Sequence, residues 1–224
     1  MQLIRLIKLE LHHSFSSRLS YLMPLAFVTC LMFTIKLSLS QSPLAHDDVF
    51  AFHLMMIINF LGMQIILLRV FALEKQDARY EVLRSLLIKP ENMYLSKVCK
   101  SVAEGIPLVT LTLVETLVWN PKISLSFTIV LSLFLLLFFV ILGLSALGVL
   151  LSGLSLGVDG RDILFSITYF PLTIPLLLAN IKIQEAIFSL DVLTDLLPWI
   201  SILIGFNLIY LTLGFMLSSE VLKP

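Results

Sequence analysis

Charged residues and cysteines are both scarce in this sequence, and each scarcity excludes a class of protein. Only 13% of the 224 residues are charged and 58% are hydrophobic, whereas soluble domains carry about 25% charged residues. The two cysteines, Cys30 and Cys99, form no CxxC or CxxCH motif and no cluster with histidine. The sequence therefore offers neither a structural zinc site nor a covalent haem site. Its formal net charge of zero does not favour nucleic-acid binding.

Phosphate-binding and catalytic motifs are missing as well. No GxxxxGK[ST] sequence is present, so the chain lacks the phosphate loop of an ATPase. No cluster of histidines and carboxylates, and no serine with a neighbouring base, is spaced for catalysis. We therefore expect a non-catalytic protein.

Long hydrophobic runs are what the sequence does contain. A membrane-spanning helix needs about 20 mostly apolar residues, and six runs reach or approach this length. They cover residues 19–39, 49–69, 102–119, 124–151, 162–180 and 197–217. The runs predict an all-α integral membrane protein with six transmembrane helices in one domain, 1–224. The first run is expected to be a retained span, because no small-x-small cleavage site follows it.

The distribution of lysine and arginine predicts the orientation of the spans. With the N-terminus in the cytoplasm, 12 of the 15 lysine and arginine residues fall in cytoplasmic segments. The other 3 are Lys36, Lys122 and Lys182. Because cytoplasmic loops carry an excess of positive charge, both termini are predicted to be cytoplasmic. Trp119 and Trp199 then fall at the outer interface, where aromatic side chains are enriched.

Residues 1–17 form an amphipathic pattern. One helical face carries the basic residues Arg5, Lys8 and His12. The other face carries the apolar residues Ile4, Ile7, Leu11 and Phe15. Such a helix lies in the plane of the cytoplasmic interface. A positively charged start that only sets the topology is the alternative interpretation.

Residues 70–101 form the longest predicted cytoplasmic connection and combine ten charges with a helical apolar pattern. Tyr80, Leu83 and Leu87 recur at helical spacing, Leu86 lies beside them, and Pro90 ends the pattern. A short amphipathic helix of this kind either docks in a groove of a soluble partner or folds back on the membrane. The pattern alone does not choose between the two.

Four polar side chains near or within the spans are candidate functional residues. Glu104 and Glu115 are eleven residues apart, so both point to the same side of a helix. A carboxylate in a bilayer should face protein or a wet cavity, which leaves a transport or gating role and a structural hydrogen-bonding role open. His46 and His53 flank the outer start of the second span and are candidate haem ligands, although interfacial histidines are common.

Two prolines interrupt the fifth span. Pro171 and Pro175 each remove the hydrogen-bond donor for the carbonyl group four residues earlier. Thr168, Tyr169 and Thr173 are nearby polar groups that could satisfy those carbonyls. We expect this span to be kinked and to face protein.

Two segments carry a family resemblance. The stretch GVDGRDILFSITYFPLTIPLLL resembles a segment of the CcmB family, the haem exporter permeases of cytochrome c maturation. The matching residues are Gly157, Pro171, Leu172, Ile174, Pro175 and Leu177. The cytoplasmic loop is similar to a pattern of this family and of ABC-2 permeases, which is D-x-x-D-G-[ST]-L-E-x-L-L-x-x-P followed by a basic residue about ten positions on. It matches at Asp77, Leu83, Leu86, Leu87, Pro90 and Lys100 and departs at Tyr80, Glu81, Val82 and Arg84.

The resemblance implies a permease subunit that couples ATP hydrolysis by a separate CcmA-like ATPase to haem export or to release of a haem-loaded chaperone. Segment 70–101 would hold the ATPase-coupling helix, and 1–17 would be the interfacial elbow helix. The implied coupling residues are Asp77, Tyr80, Leu83, Arg84, Leu86, Leu87 and Pro90.

Partners and location also follow from the resemblance. The implied partners are the ATPase, a CcmC-like haem-handling membrane protein, a small membrane subunit and a second permease copy. No cofactor is expected on this chain, haem is a candidate substrate, and ATP belongs to the partner. A bacterial inner membrane is expected, with an organellar inner membrane as the alternative.

Two other functions are compatible with the residues. An ABC-2 permease for a drug, lipid or polysaccharide would share the coupling loop but should lack the P-L-x-I-P pattern. A membrane-embedded enzyme or assembly factor without ATP coupling would depend on Glu104, Glu115 and four scattered histidines.

Overall fold

The computed structural model describes residues 2–16, 18–39, 48–71, 89–119, 127–155, 160–189 and 193–221. Every regular element within these ranges is helical, which confirms the predicted all-α class. The helices are α1 (Gln2–Ser16), α2 (Arg18–Leu39), α3 (Asp48–Leu68), α4 (Pro90–Trp119), α5 (Phe127–Leu154), α6 (Arg161–Ser189) and α7 (Leu193–Val221).

Helices α2 to α7 are each long and apolar enough to cross a membrane, in agreement with the six predicted spans. Their bounds differ most from the prediction at two ends. Helix α4 begins at Pro90, well before the predicted start at 102, and α6 runs on to Ser189, beyond the predicted end at 180. Hydropathy underestimates both helices because their ends carry charged and polar residues that the surrounding protein or water accommodates.

Pro90 marks the beginning of α4, although the sequence pattern placed it at the end of an amphipathic helix. The carbonyl group of Lys89 accepts hydrogen bonds from the backbone N–H groups of Asn92 (3.0 Å) and Met93 (3.2 Å). Proline suits the first turn because its missing N–H would have no helical partner there. Glu91 in the same turn is favoured by the helix dipole.

Helices α4 and α5 form the centre of the bundle. Helix α4 contacts α1, α2, α3, α5 and α7, and α5 contacts α3, α4, α6 and α7. Two glycines of α5 allow this close packing, since Gly143 lies against Leu176 of α6 and Gly148 lies against Leu67 of α3. A methyl group at Gly148 would overlap Leu67, so the small side chain is required for the observed helix approach.

Helix α1 presents three faces, where the sequence pattern showed two. Leu6 is buried against the bundle, and Glu10 on the same side is largely buried. Ile4 is exposed and belongs to the predicted apolar face, while Arg5 and Lys8 are exposed on the predicted basic face. One face therefore meets protein, one is available to lipid, and one is available to water.

Helix α6 is continuous across its two prolines. Helix α6 packs on α3, α5 and α7, as expected for a span that faces protein, but Pro171 and Pro175 themselves are exposed in the protomer. The Thr173 hydroxyl donates to the carbonyl groups of Tyr169 (3.1 Å) and Phe170 (2.9 Å), and the Thr168 hydroxyl donates to that of Leu164 (2.9 Å). Neither hydroxyl reaches the carbonyl groups of residues 167 and 171, which the prolines leave without a helical donor.

Candidate functional site

Three charged side chains meet where α1 packs on α4, at the predicted cytoplasmic end of the bundle. Lys97 Nζ lies 2.8 Å from Glu10 Oε1, and Lys100 Nζ lies 3.6 Å from Glu10 Oε2. The Lys97 side chain is 1% exposed and the Glu10 side chain 13% exposed. Charges that are buried so deeply need a partner of opposite sign. We call Glu10, Lys97 and Lys100 the lysine junction.

The lysine junction also contacts the chain just after α3. Lys97 Nζ donates to the carbonyl group of Val70 at 3.4 Å and lies 5.5 Å from the centre of the Phe71 ring. A cation at this distance from an aromatic ring is attracted to it. Phe71 is the last described residue before segment 72–88, and Lys89 is the first after it. One buried ammonium group therefore joins α1, the entry to this segment, and the helix that follows it.

The predicted coupling residues occupy that segment, with one exception. Asp77, Tyr80, Leu83, Arg84, Leu86 and Leu87 lie outside the described residues. Pro90 is described and begins α4. The coupling role of these residues stays a prediction. The lysine junction beside them was missed by sequence reasoning, which used Lys97 as a topology signal and Lys100 as a topology signal and a match to the family pattern.

Tyr94, one turn before Lys97, connects α4 to two further helices. Its hydroxyl lies within hydrogen-bonding distance of the carbonyl groups of Ala146 in α5 (3.0 Å) and Tyr210 in α7 (3.1 Å). Its ring packs against the backbone of Gly214 in α7 so closely that a Cβ atom there would overlap it. The first turns of α4 are thus attached to α1, α5 and α7 together.

The two candidate acidic residues of α4, Glu104 and Glu115, both face α2. Glu104 interacts electrostatically with Tyr21, and Glu115 interacts with the Thr29 hydroxyl, both in α2. This agrees with the common direction that their eleven-residue spacing predicts. Glu115 Oε2 is buried and has no hydrogen-bond partner in the described parts of the chain. The position of both side chains between α2 and α4 is compatible with a structural role. A transport or gating role stays a prediction.

The candidate haem ligands are only partly covered by the structure. His46 lies outside the described residues, and His53 lies in α3 with a buried Nε2 atom that has no hydrogen-bond partner among the described residues. Across those same ranges, no group of three His, Cys, Asp or Glu side chains is placed to hold a metal ion. Haem ligation by these histidines stays a prediction.

A family model described as CcmB protein matches residues 1–223, which include the lysine junction and both prolines of α6. The chain belongs to the CcmB family. CcmB proteins are membrane components of the haem export system for cytochrome c maturation. Together with its six candidate spans, this makes the chain a multi-pass transmembrane permease of cytochrome c biogenesis. The comparison with curated proteins gives no match.

CcmB membership accounts for the two segments that carried the resemblance, since the match runs through both of them. It also makes the chain one subunit of a Ccm ABC transporter complex that contains other subunits. A CcmB protein is a transport subunit, which indicates a non-catalytic chain.

Proposed function

We propose that this CcmB chain is the permease subunit that receives mechanical work from a separate CcmA-like ATPase. ATP hydrolysis on that partner would drive haem export or release of a haem-loaded chaperone. The observation that carries the proposal is the lysine junction, which lies at the start of the segment that is predicted to dock on the ATPase. In this proposal haem is the substrate, and ATP is bound only by the partner.

The lysine junction gives a displacement of segment 72–88 a direct path into the bundle. A pull on the segment acts on Val70 and Phe71, which contact Lys97, and Lys97 in turn is bound to Glu10 of α1. Separating a buried ion pair is unfavourable, because each charge would lose its partner without gaining water. The elements at this junction are therefore expected to move together.

The remaining partners of the proposal follow from the family. A CcmC-like haem-handling membrane protein, a small membrane subunit and a second copy of this permease would complete the complex in a bacterial inner membrane. The exposed apolar surface of α6, which includes Ile163, Ile167, Pro171 and Ile174, is compatible with contact to lipid or to another membrane subunit.

Co-purification with the ATPase subunit tests the proposal. Arg84→Glu reverses a charge in the predicted coupling helix, and Leu86→Pro breaks that helix. We expect both variants to lose the ATPase during purification in detergent while the six-helix bundle keeps its melting temperature. Lys182→Glu is the matched control, because Lys182 is an exposed charge at the predicted outer end. Unchanged ATPase recovery with both loop variants would contradict the coupling assignment.

A further inference from the structure

Buried amide groups without partners are concentrated near the predicted outer end of α6. Asn180 and Gln184 are both 0% exposed. The side-chain oxygen and nitrogen atoms of both amides have no hydrogen-bond partner among the described residues. The Nε2 atom of His53 in α3 is also buried and has no hydrogen-bond partner among the described residues. We call His53, Asn180 and Gln184 the outer polar seam.

Contacts of nearby residues place His53 and Gln184 between α3 and α6, and Asn180 lies one helical turn before Gln184 on the same side of α6. The Phe52 and Phe188 rings lie 4.8 Å apart, which puts the start of α3 beside the end of α6. His53 follows Phe52 directly, and Gln184 lies one helical turn before Phe188. Ser166, which accepts a hydrogen bond from Gln64 of α3 at 3.0 Å, is five full turns before Gln184, so Gln184 also faces α3.

The inner and outer halves of the contact between α3 and α6 differ in the side chains that they bury. At the inner half, Phe60 stacks on Tyr169 with 5.5 Å between the ring centres and meets Phe170 edge-on at 5.0 Å. At the outer half, the buried groups are polar and have no hydrogen-bond partners among the described residues. Such groups are rare in native proteins and are more unfavourable inside a bilayer than at a surface. Leucine side chains would fill the same space without this penalty. The packing of the described residues therefore does not explain why these side chains are polar.

We propose that the outer end of the α3–α6 seam opens during the transport cycle and admits water to His53, Asn180 and Gln184. The Phe52–Phe188 contact lies between these residues and the predicted outer surface, so its separation would open the seam. The outer polar seam would then line the outward-facing part of the path through the protomer, which suits a solute with hydrogen-bonding groups. This inference rests on the proposed transport function.

Cysteine labelling in the assembled complex tests the opening. Cys30 and Cys99 are first replaced by alanine, and single cysteines are placed at Asn180 and Gln184. A membrane-impermeant maleimide is then added from the outer side. We expect both positions to be labelled while the ATPase is active and to lose the labelling when it is inactivated. Leu176→Cys, one turn further in on α6 and fully buried, should stay unlabelled, and exposed Lys182→Cys should always be labelled.

Each labelling result has a distinct meaning. Protection of both cysteines in every state, with Lys182→Cys labelled, would overturn the proposal. Labelling that ignores the state of the ATPase would support the opening but contradict the coupling in the proposed function. The two failures are therefore distinguishable.

A second pair of variants keeps the proposal testable if the cysteine variants do not assemble. Asn180→Leu and Gln184→Leu replace the two side-chain amides with apolar side chains of similar size. We expect a higher melting temperature and a loss of cytochrome c maturation, because water no longer enters the seam. A higher melting temperature with unchanged maturation would also overturn the proposal.

Discussion

Lys97 Nζ lies 2.8 Å from Glu10 Oε1, and this pair binds the amphipathic α1 to the central helix α4. The same nitrogen reaches the Val70 carbonyl group just after α3. Three parts of the chain that are distant in sequence thus meet at one ammonium group. For a CcmB permease, this places a buried ionic connection beside the segment where work from an ATPase is proposed to enter.

Removing the carboxylate of the lysine junction should destabilise the protein more than removing one of its lysines. Glu10→Gln takes the negative charge away from two buried ammonium groups and is expected to lower the free energy of unfolding by about 3 kcal/mol. Lys97→Met should lower it less, because Lys100 remains beside Glu10. Denaturant unfolding in detergent measures the difference. A smaller effect of Glu10→Gln than of Lys97→Met would contradict this reading of the charges.

The lysine junction should also separate ATPase binding from ATPase coupling. We expect Lys97→Met to retain the ATPase during purification, because the predicted docking residues are unchanged, and to reduce covalent haem in c-type cytochromes. Haem staining of the cytochromes beside the co-purification assay measures both. Lys182→Met, at the exposed Lys182–Glu185 pair, is the control. Full cytochrome maturation with Lys97→Met would limit the junction to a structural role.

The contact between Tyr94 and Gly214 predicts a large difference between two glycine substitutions in α7. Gly214→Ala places a methyl group into the Tyr94 ring and should displace its hydroxyl from Ala146 and Tyr210, at a loss of about 1–3 kcal/mol for overpacking. At Gly205 nothing lies within 4 Å of an added Cβ atom. Gly205→Ala should therefore be neutral or stabilising by up to about 1 kcal/mol. Melting temperatures of the two variants check this, and equal values would contradict the packing described.

The exposed position of the prolines in α6 predicts that the protomer does not need them for stability. Pro171→Ala and Pro175→Ala each restore a backbone hydrogen bond, and no buried contact is lost because both rings are exposed. We expect unchanged or higher melting temperatures for the isolated protein in detergent. Leu176→Ala, which removes a fully buried side chain from the same helix, should lower the melting temperature. A lower value for the proline variants would show that they support the fold directly.

Hydropathy was sufficient for the six spans, because in a bilayer a long apolar run has few other possible structures. It was less accurate at the ends of α4. Lys97 and Lys100 seemed too polar for a buried helix when read along the chain, and only the packing of α1 brings Glu10 against them. The direction of Glu104 and Glu115 could be predicted from helical periodicity, but their partner helix α2 could not.

The prolines show the same division between local and tertiary information. Their presence in α6 and the two carbonyl groups they leave without a helical donor follow from the sequence, since both are properties of the local backbone. Which side of α6 meets the bundle does not follow from it, because prolines, isoleucines and leucines occur all around this helix. The packing of α6 on α3, α5 and α7 decides that the prolines face outward.

The sequence by itself determined the class of the protein, the number of its spans and the resemblance to the CcmB family, because each depends on composition or on short contiguous patterns. Only the tertiary structure decided which charges pair in the lysine junction and which polar groups are buried in the outer polar seam. Those relationships join helices that are far apart in the chain, so they depend on packing that no local pattern specifies.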